Sequence, residues 1–253
     1  MLRIRNLTLG YGGAPVLADL DLDVATGAFA SLVGPSGSGK TSVLRAIAGL
    51  QAPERGLVEV DVTRREIGFL FQDDALLPWR RVCENASLGL RIQGMERAAA
   101  MREAEGWLAR LGLEGLGRRW PRQLSGGQRK RVAIAQVLAL RPRLLLMDEP
   151  FAALDAIVRA RVTQDLLDLM AAEGITVVLV THDLEEAIAA SDVVHVLSNG
   201  PRARILSSRA VPIPRPRRVL DARADPAFAP LLRQLWADLA GGDPALARTE
   251  LAA

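Results

Sequence analysis

A chain of 253 residues, 49% hydrophobic and 24% charged, has the composition of a globular protein and is long enough to bury a sizeable core. Its formal net charge of +3 is too mild to argue for nucleic acid as a partner. Its single cysteine, Cys83, excludes an internal disulfide, and no apolar run reaches the ~18 residues needed to span a bilayer.

The N-terminal run carries Arg3 and Arg5 among Leu2, Ile4, Leu7 and Leu9, so it reads as a strand and not as a signal-peptide core. The sequence thus predicts a chain soluble by itself, needing a further chain for any membrane part. Leu20, Leu22 and Val24 alternate with Asp19, Asp21 and Asp23, the pattern of a strand with one wet face. A short apolar run, 29–33, ends in a glycine-rich loop and is followed by Val43, Leu44, Ile47 and Leu50 at helical spacing. Val58, Val60 and Val62 alternate again, and 67–71 reads as a buried strand. Helices are expected over 96–111 and from Ser125 to about residue 140, where Ser125 and Gln128 have capping-box spacing. The runs 144–147, 175–180 and 193–197 suit a parallel sheet buried on both faces, with a helix over 156–172 between the first two. Strand, helix, strand in this order predicts an α/β core. The tail segment VPIPRPRR, 211–218, cannot be helix interior, and a short amphipathic helix follows with Phe228, Leu231, Leu232, Leu235 and Trp236 on one side.

Residues 34–41 read GPSGSGKT and match GxxxxGK[ST] between a strand and a helix. In that context backbone N–H groups of the loop and the helix N-terminus bind phosphate oxygens. Lys40 is expected to reach the β- and γ-phosphates, and Thr41 to place its hydroxyl on Mg²⁺. Lysine occurs only at Lys40 and Lys130 in a chain that otherwise uses arginine, so a point charge looks required at Lys40. A second site follows the run 144–147, which ends in Asp148 and Glu149. Open α/β sheets bind ligands at such carboxyl ends. Asp148 suits the metal shell, and Glu149 suits polarising an attacking water. His182 ends its strand in the same way, Gln72 follows a strand, and His195, inside an apolar run, reads as structural.

Leu124, Ser125, Gly126, Gly127 and Gln128 spell LSGGQ, which is identical to the signature of ABC ATPases. With the phosphate loop, Gln72, Asp148-Glu149, Ala153-Leu154-Asp155 and His182, the motifs of that family occur in order, so residues 1 to about 240 resemble it. Tyr11, the only tyrosine, sits where the family stacks an aromatic on adenine.

The resemblance implies a P-loop NTPase core with a parallel sheet, a small antiparallel β-subdomain and an inserted helical subdomain. The ATP-binding domain would span 1–210, with an ATPase core of 1–74 and 141–210 and a helical signature subdomain of 75–140. A Pro/Arg-rich tail with a short helix would occupy 211–253. It implies ATP and Mg²⁺ as ligands. Glu149, His182, Lys40 and Gln72 would be catalytic. Tyr11, Gly34, Pro35, Ser36, Gly37, Ser38, Gly39, Lys40, Thr41, Ser42, Gln72, Ser125, Gly126, Gly127, Gln128 and Asp155 would bind nucleotide. Thr41, Gln72 and Asp148 would hold the metal.

It also implies a homodimer closed head to tail by ATP, integral membrane permease subunits, and an extracytoplasmic solute-binding protein contacted only indirectly. The chain would be peripheral on the cytoplasmic side of the membrane, with no nucleic acid partner.

FQDDALLPWRRV at 71–82, MDEPFAALDAIVRARV at 147–162 and IPRPR at 213–217 look like nitrate, sulfonate and taurine importer ATPases, and some thiamine-precursor importers share them. Trp79 and Arg80 would then lie near the permease. Departures are a short segment 56–72 without an Asp-Gly turn, Ala152 for a glycine, and unusual residues at Lys130 and Gln136. Arg129, Lys130 and Arg131 read as a solvated helix face, and Arg215, Arg217 and Arg218 as a solvated strand edge.

Within the same fold, DNA repair ATPases carry a coiled coil between phosphate loop and signature. Here Lys40 and Ser125 are 85 residues apart with no sustained heptad. Translation members fuse two cassettes, whereas one phosphate loop is present. An ABC-type ATPase with soluble partners, as in iron–sulfur assembly, stays open at this point. A non-hydrolysing scaffold is disfavoured by the presence of Glu149 and His182.

Overall fold

The computed structural model describes residues 1–242; the rest of the expected tail, 243–253, lies outside the described residues. β1 (Leu2–Leu9) pairs antiparallel with β2 (Leu17–Val24) on one side and β4 (Arg55–Val60) on the other. In β2 the leucines and Val24 are buried while Asp19, Asp21 and Asp23 face water, as the alternation predicts.

The chain crosses to a second sheet through β3 (Phe29–Val33). This sheet adds β5 (Ile67–Leu70), β6 (Leu144–Asp148), β7 (Thr176–Val180), β8 (Val193–Leu197) and β9 (Ile205–Ala210), in the order β5-β6-β7-β3-β8-β9. Its pairs are parallel except β8 with β9. The three strands β3, β6 and β7 are buried at every residue, which is why they are near-continuous apolar runs. The expected buried strand over 67–71 is instead the edge strand β5. It pairs only with β6, and just two of its four residues are buried. The short stretch after β4 forms no hairpin. Thr63 and Glu66 close a capping box on a 3₁₀ turn that leads into β5.

The helices are α1 (Lys40–Ile47), α2 (Val82–Ala86), α3 (Leu88–Ile92), α4 (Arg97–Arg110), α5 (Gly126–Leu138), α6 (Ala156–Glu173), α7 (Leu184–Ala190) and α8 (Phe228–Gly242). Strand alternation decides which face each one covers. Leu144 and Leu146 of β6 pack with Val43, Leu44 and Ile47 of α1 and with the apolar face of β1 and β2. Leu145 and Met147 of the same strand pack with Val132, Ile134 and Leu138 of α5 and with Val162 and Leu166 of α6. Thus α1 and α5 lie on opposite faces of the large sheet. Cys83 is buried in the α5 cluster; burial, reinforced by Glu105, pushes its thiol up to about 12, so it is inert. None of the described helices is long and apolar enough to cross a membrane.

Two surface expectations fail. Arg129, Lys130 and Arg131 do not form a solvated face. Lys130 is 2% exposed, and Arg131 donates to Leu111 O at 3.0 Å and to Asp165 at 2.6 Å. Nor is the Pro/Arg segment a free strand edge. Val211 and Ile213 are buried with α7 and with Phe228, Leu231 and Leu235 of α8. The Arg217 side chain is 5% exposed and donates to Ile213 O, Ile188 O and Ser191 O, which satisfies carbonyls at the end of α7. Arg215, paired with Asp192, and Arg218 are exposed as expected. In both cases arginine or lysine heads find carbonyls at element ends, which a charge pattern alone does not reveal. Trp236, expected on the same side of the helix as Phe228, Leu231 and Leu235, is 47% exposed where those three are buried.

Candidate functional site

The glycine-rich loop leaves the carboxyl end of β3, between β7 and β8 in the sheet, and enters α1 at Lys40. Gly39 has φ 85°, and a Cβ there would come within 2.8 Å of Leu17, so position and conformation both require glycine. Lys40 is buried and donates to Gly34 O and Pro35 O, each at 2.8 Å. Burial lowers its pKa, opposed by the charges of Glu149 and Asp148. Ser38 Oγ is buried in the loop without a hydrogen-bond partner among the described residues.

Asp148 ends β6 and accepts from Thr41 Oγ1 at 3.0 Å. Burial raises its carboxyl above the usual range, and the Thr41 bond partly offsets this. Glu149 follows with φ 42°, and its N–H is held by Val180 O at 2.8 Å. Its Oε2 lies 3.1 Å from His182 Nδ1, at the end of β7. The sheet order, with β6 beside β7 and β7 beside β3, thus brings Lys40, Thr41, Asp148, Glu149 and His182 into one cluster. Tyr11 joins its edge through Ser42: its hydroxyl is 2.8 Å from Ser42 Oγ and 3.1 Å from Gln51 Oε1, while most of its ring is exposed.

Other residues singled out in the sequence form no hydrogen bond with this cluster among the described residues. Ser125 and Gln128 close a capping box on α5: Ser125 Oγ accepts from Gln128 N, and Gln128 Oε1 accepts from Ser125 N. A Cβ on Gly127 would come within 2.5 Å of Val158, so α5 and α6 touch there. Asp155 caps α6 through Val158 N at 3.0 Å. Gln72 is exposed just beyond β5. His195 bonds Ser208 Oγ across β8 and β9, and burial lowers it to about 4, which fits a structural residue.

The sequence reading missed Glu186. It bonds Thr181 Oγ1 directly beside His182, and its other oxygen has no hydrogen-bond partner among the described residues. Burial raises its carboxyl from 4.5 to about 7; Thr181, Arg159 and His182 oppose the shift, and Asp183 adds to it. Relative to an ordinary carboxyl, this group adds stability below pH 4.5, and the contribution is lost as pH rises through about 7. Glu186→Gln should therefore flatten the fall in melting temperature between pH 5 and 8; an unchanged slope would contradict the buried acid.

Thr41 and Asp148 present hard oxygens side by side, a donor set that fits Mg²⁺. The unpartnered Ser38 hydroxyl and the Lys40 ammonium fit a phosphate group beside it. A glycine-rich loop between a buried central strand and a helix, with an acidic pair at the end of a parallel strand one removed in the sheet, defines a P-loop nucleotide-binding protein.

Residues 17–152 match the ABC transporter family. The chain is 46% identical over 240 residues to the aliphatic sulfonates import ATP-binding protein SsuB 2 of Nocardia farcinica, covering 95% of this chain and 96% of that one. It is 43% identical over 206 residues to the taurine import ATP-binding protein TauB of Escherichia coli, covering 79% of this chain and 81% of that one. Among solved structures it is similar to the dimeric structure of MJ0796, a bacterial ABC transporter cassette. There the TM-score is 0.74 and the identity 33%, with 83% of this chain and 99% of that one covered. A post-hydrolysis state of the same cassette with ADP and Pi gives a TM-score of 0.73. The chain belongs to the ABC transporter family and is an ATP-binding, ATP-hydrolysing cassette.

Proposed function

We propose that the chain energises an importer of sulfonates, taurine, nitrate or a similar small solute, working as a peripheral subunit on the cytoplasmic face of the membrane. The observation that carries the chemistry is the adjacency of two pairs, Thr41 with Asp148 and Glu149 with His182. Similarity to sulfonate and taurine import ATP-binding proteins supports the transport role and the solute class. Those relatives are transporter subunits, so a role with soluble partners has no support among them.

Lys40 and the loop residues Gly34 to Gly39 hold the phosphates; Ser42 fixes the Tyr11 hydroxyl so that its exposed ring can cover adenine. Thr41, Asp148 and Gln72 would hold Mg²⁺, which would neutralise phosphate charge. Glu149 takes the proton of the attacking water, and His182 orients Glu149 and contacts the γ-phosphate. Ser125, Gly126, Gly127, Gln128 and Asp155 meet the nucleotide of a second subunit. The opposite-face placement of α1 and α5 supports this, because one chain's signature helix does not share its phosphate loop's side of the sheet. The exposed Trp79 offers a contact to permease subunits, which an extracytoplasmic binding protein would load.

Lys40→Ala should weaken ATP binding and hydrolysis together, since it removes a charge-assisted contact. Lys40→Arg should also be damaging, because a guanidinium is too broad for a pocket closed by Gly34 O and Pro35 O. Normal hydrolysis in both variants would overturn the loop assignment. The transport role is tested by uptake of labelled alkanesulfonate, taurine and nitrate in cells lacking the chain. Restoration by the wild type but not by Glu149→Gln is expected for one of the three. Undiminished uptake of all three without the chain would sink the proposed solute class.

A further inference from the structure

Lys130 is a buried cation with no part in the nucleotide chemistry above. It sits on the second turn of α5, and its ammonium reaches the chain just beyond β5. Nζ donates to Gln72 O at 2.9 Å and to Phe71 O at 3.4 Å, and pairs with Asp74 Oδ1 at 3.0 Å. Three acceptors meet the three donors of one ammonium. The preceding residue works on the same loop from the other side. Arg129 Nε lies 3.4 Å from Asp74 Oδ2, and its Nη1 donates to Leu124 O at 2.8 Å. Consecutive side chains of one helix therefore bind the loop that carries Gln72 and the residue that precedes Ser125.

Ordinary packing of α5 on β5 does not require this. The contacts go to Phe71, Gln72 and Asp74, past the last residue of the strand, in a loop that would otherwise open easily. A lysine is buried here only because it is fully paired, and removing its partner would leave an uncompensated charge. The Gln72 backbone is held while its side chain stays exposed, so the amide remains free to meet a ligand.

We propose that Lys130 is a positioning residue that ties the Gln72 loop to the signature helix, so that the two move as one body within a subunit. The inference rests on the reading of Gln72 and Ser125 as nucleotide contacts. In a head-to-tail dimer those two residues of one subunit address different nucleotides. A shift of Ser125 on one ATP then displaces Gln72 at the other, and the tie links the two sites.

The test compares the full chain with Lys130→Met, Asp74→Asn and Gln72→Ala, by hydrogen exchange and by ATPase rate against ATP concentration. Losing a charged hydrogen bond of about 1.5 kcal/mol corresponds to about tenfold faster exchange at residues 71–76 in Lys130→Met. Exchange in α1 and β6 should stay as in the wild type. The maximal rate should fall about tenfold, with KM for ATP within about twofold and the Hill coefficient for ATP moved toward one. Asp74→Asn, on a partly exposed residue, should shift the same readouts in the same direction and decides the matter if Lys130→Met does not fold. Wild-type exchange at 71–76, or a wild-type rate, in the deciding variant overturns the proposal. Gln72→Ala separates the premises. If it hydrolyses ATP at the wild-type rate, the reading of Gln72 fails and the tie's catalytic consequence fails with it. If Gln72→Ala is impaired while Lys130→Met is not, the tie alone is wrong.

Discussion

Glu149→Gln should leave ATP bound and stop its hydrolysis, lowering the rate by about a hundredfold or more, the scale of a lost general base. The substitution preserves shape. The backbone at 149 is held by Val180 O whichever side chain it carries, so the site should not rearrange. The amide can still bond His182 Nδ1, now at 3.1 Å from the carboxylate, but it cannot take a proton from water. Lys40, Thr41 and Asp148 keep their places, so the contacts that hold phosphate and metal persist. ATP then closes a dimer that hydrolysis no longer reopens. Size-exclusion chromatography with ATP and Mg²⁺ should show a stable dimer for Glu149→Gln and mostly monomer for the wild type. Turnover at the wild-type rate would remove Glu149 from the role of base.

The cluster around Glu149 was legible in the sequence because each member is fixed by local pattern. Leu144 to Met147 are buried on both faces, so Asp148 and Glu149 fall at the strand end without any knowledge of the partner strands. The same holds for His182 after β7, and Ser125 and Gln128 form the capping box their spacing announces. What the pattern does not carry is which distant carbonyl a long cation will find. Lys130 shows this: rarity of lysine marks Lys40 as required, and the same rarity applies to Lys130. Its neighbours Arg129 and Arg131 made the stretch look solvated, yet all three side chains reach backbone carbonyls at other element ends. Arg217 repeats the lesson at the end of α7. Glu186 was hidden for a different reason. Its burial comes from α7 meeting Phe151, Ala152 and Arg159, a tertiary contact with no periodic signature. The edge position of β5 was likewise not readable, because its apolar residues resemble those of a central strand until the sheet order is known.

Ser125→Arg should leave ATP binding by a single subunit nearly intact and abolish ATP-driven dimerisation and hydrolysis. Ser125 caps α5, whose apolar side packs on the face of the large sheet opposite α1. The substitution therefore touches none of the residues proposed to hold ATP in its own subunit: Lys40 bonds Gly34 O and Pro35 O, and Thr41 bonds Asp148, without it. At the dimer interface the effect is large for two reasons. The hydroxyl that would donate to the partner's γ-phosphate is lost, and a guanidinium fills the space that Gly126 and Gly127 leave for close approach. Gly127 already lies so near Val158 that the helix cannot retreat to make room. Mixing Ser125→Arg with Lys40→Ala subunits sharpens the test. In a head-to-tail heterodimer one site combines both lesions and the other has an intact phosphate loop and an intact signature. Activity in the mixture above the sum of the two variants alone is the result expected when one site can turn over by itself. The single variant decides regardless of that condition: if Ser125→Arg still dimerises with ATP and hydrolyses it at the wild-type rate, the signature does not complete a partner's site in this protein.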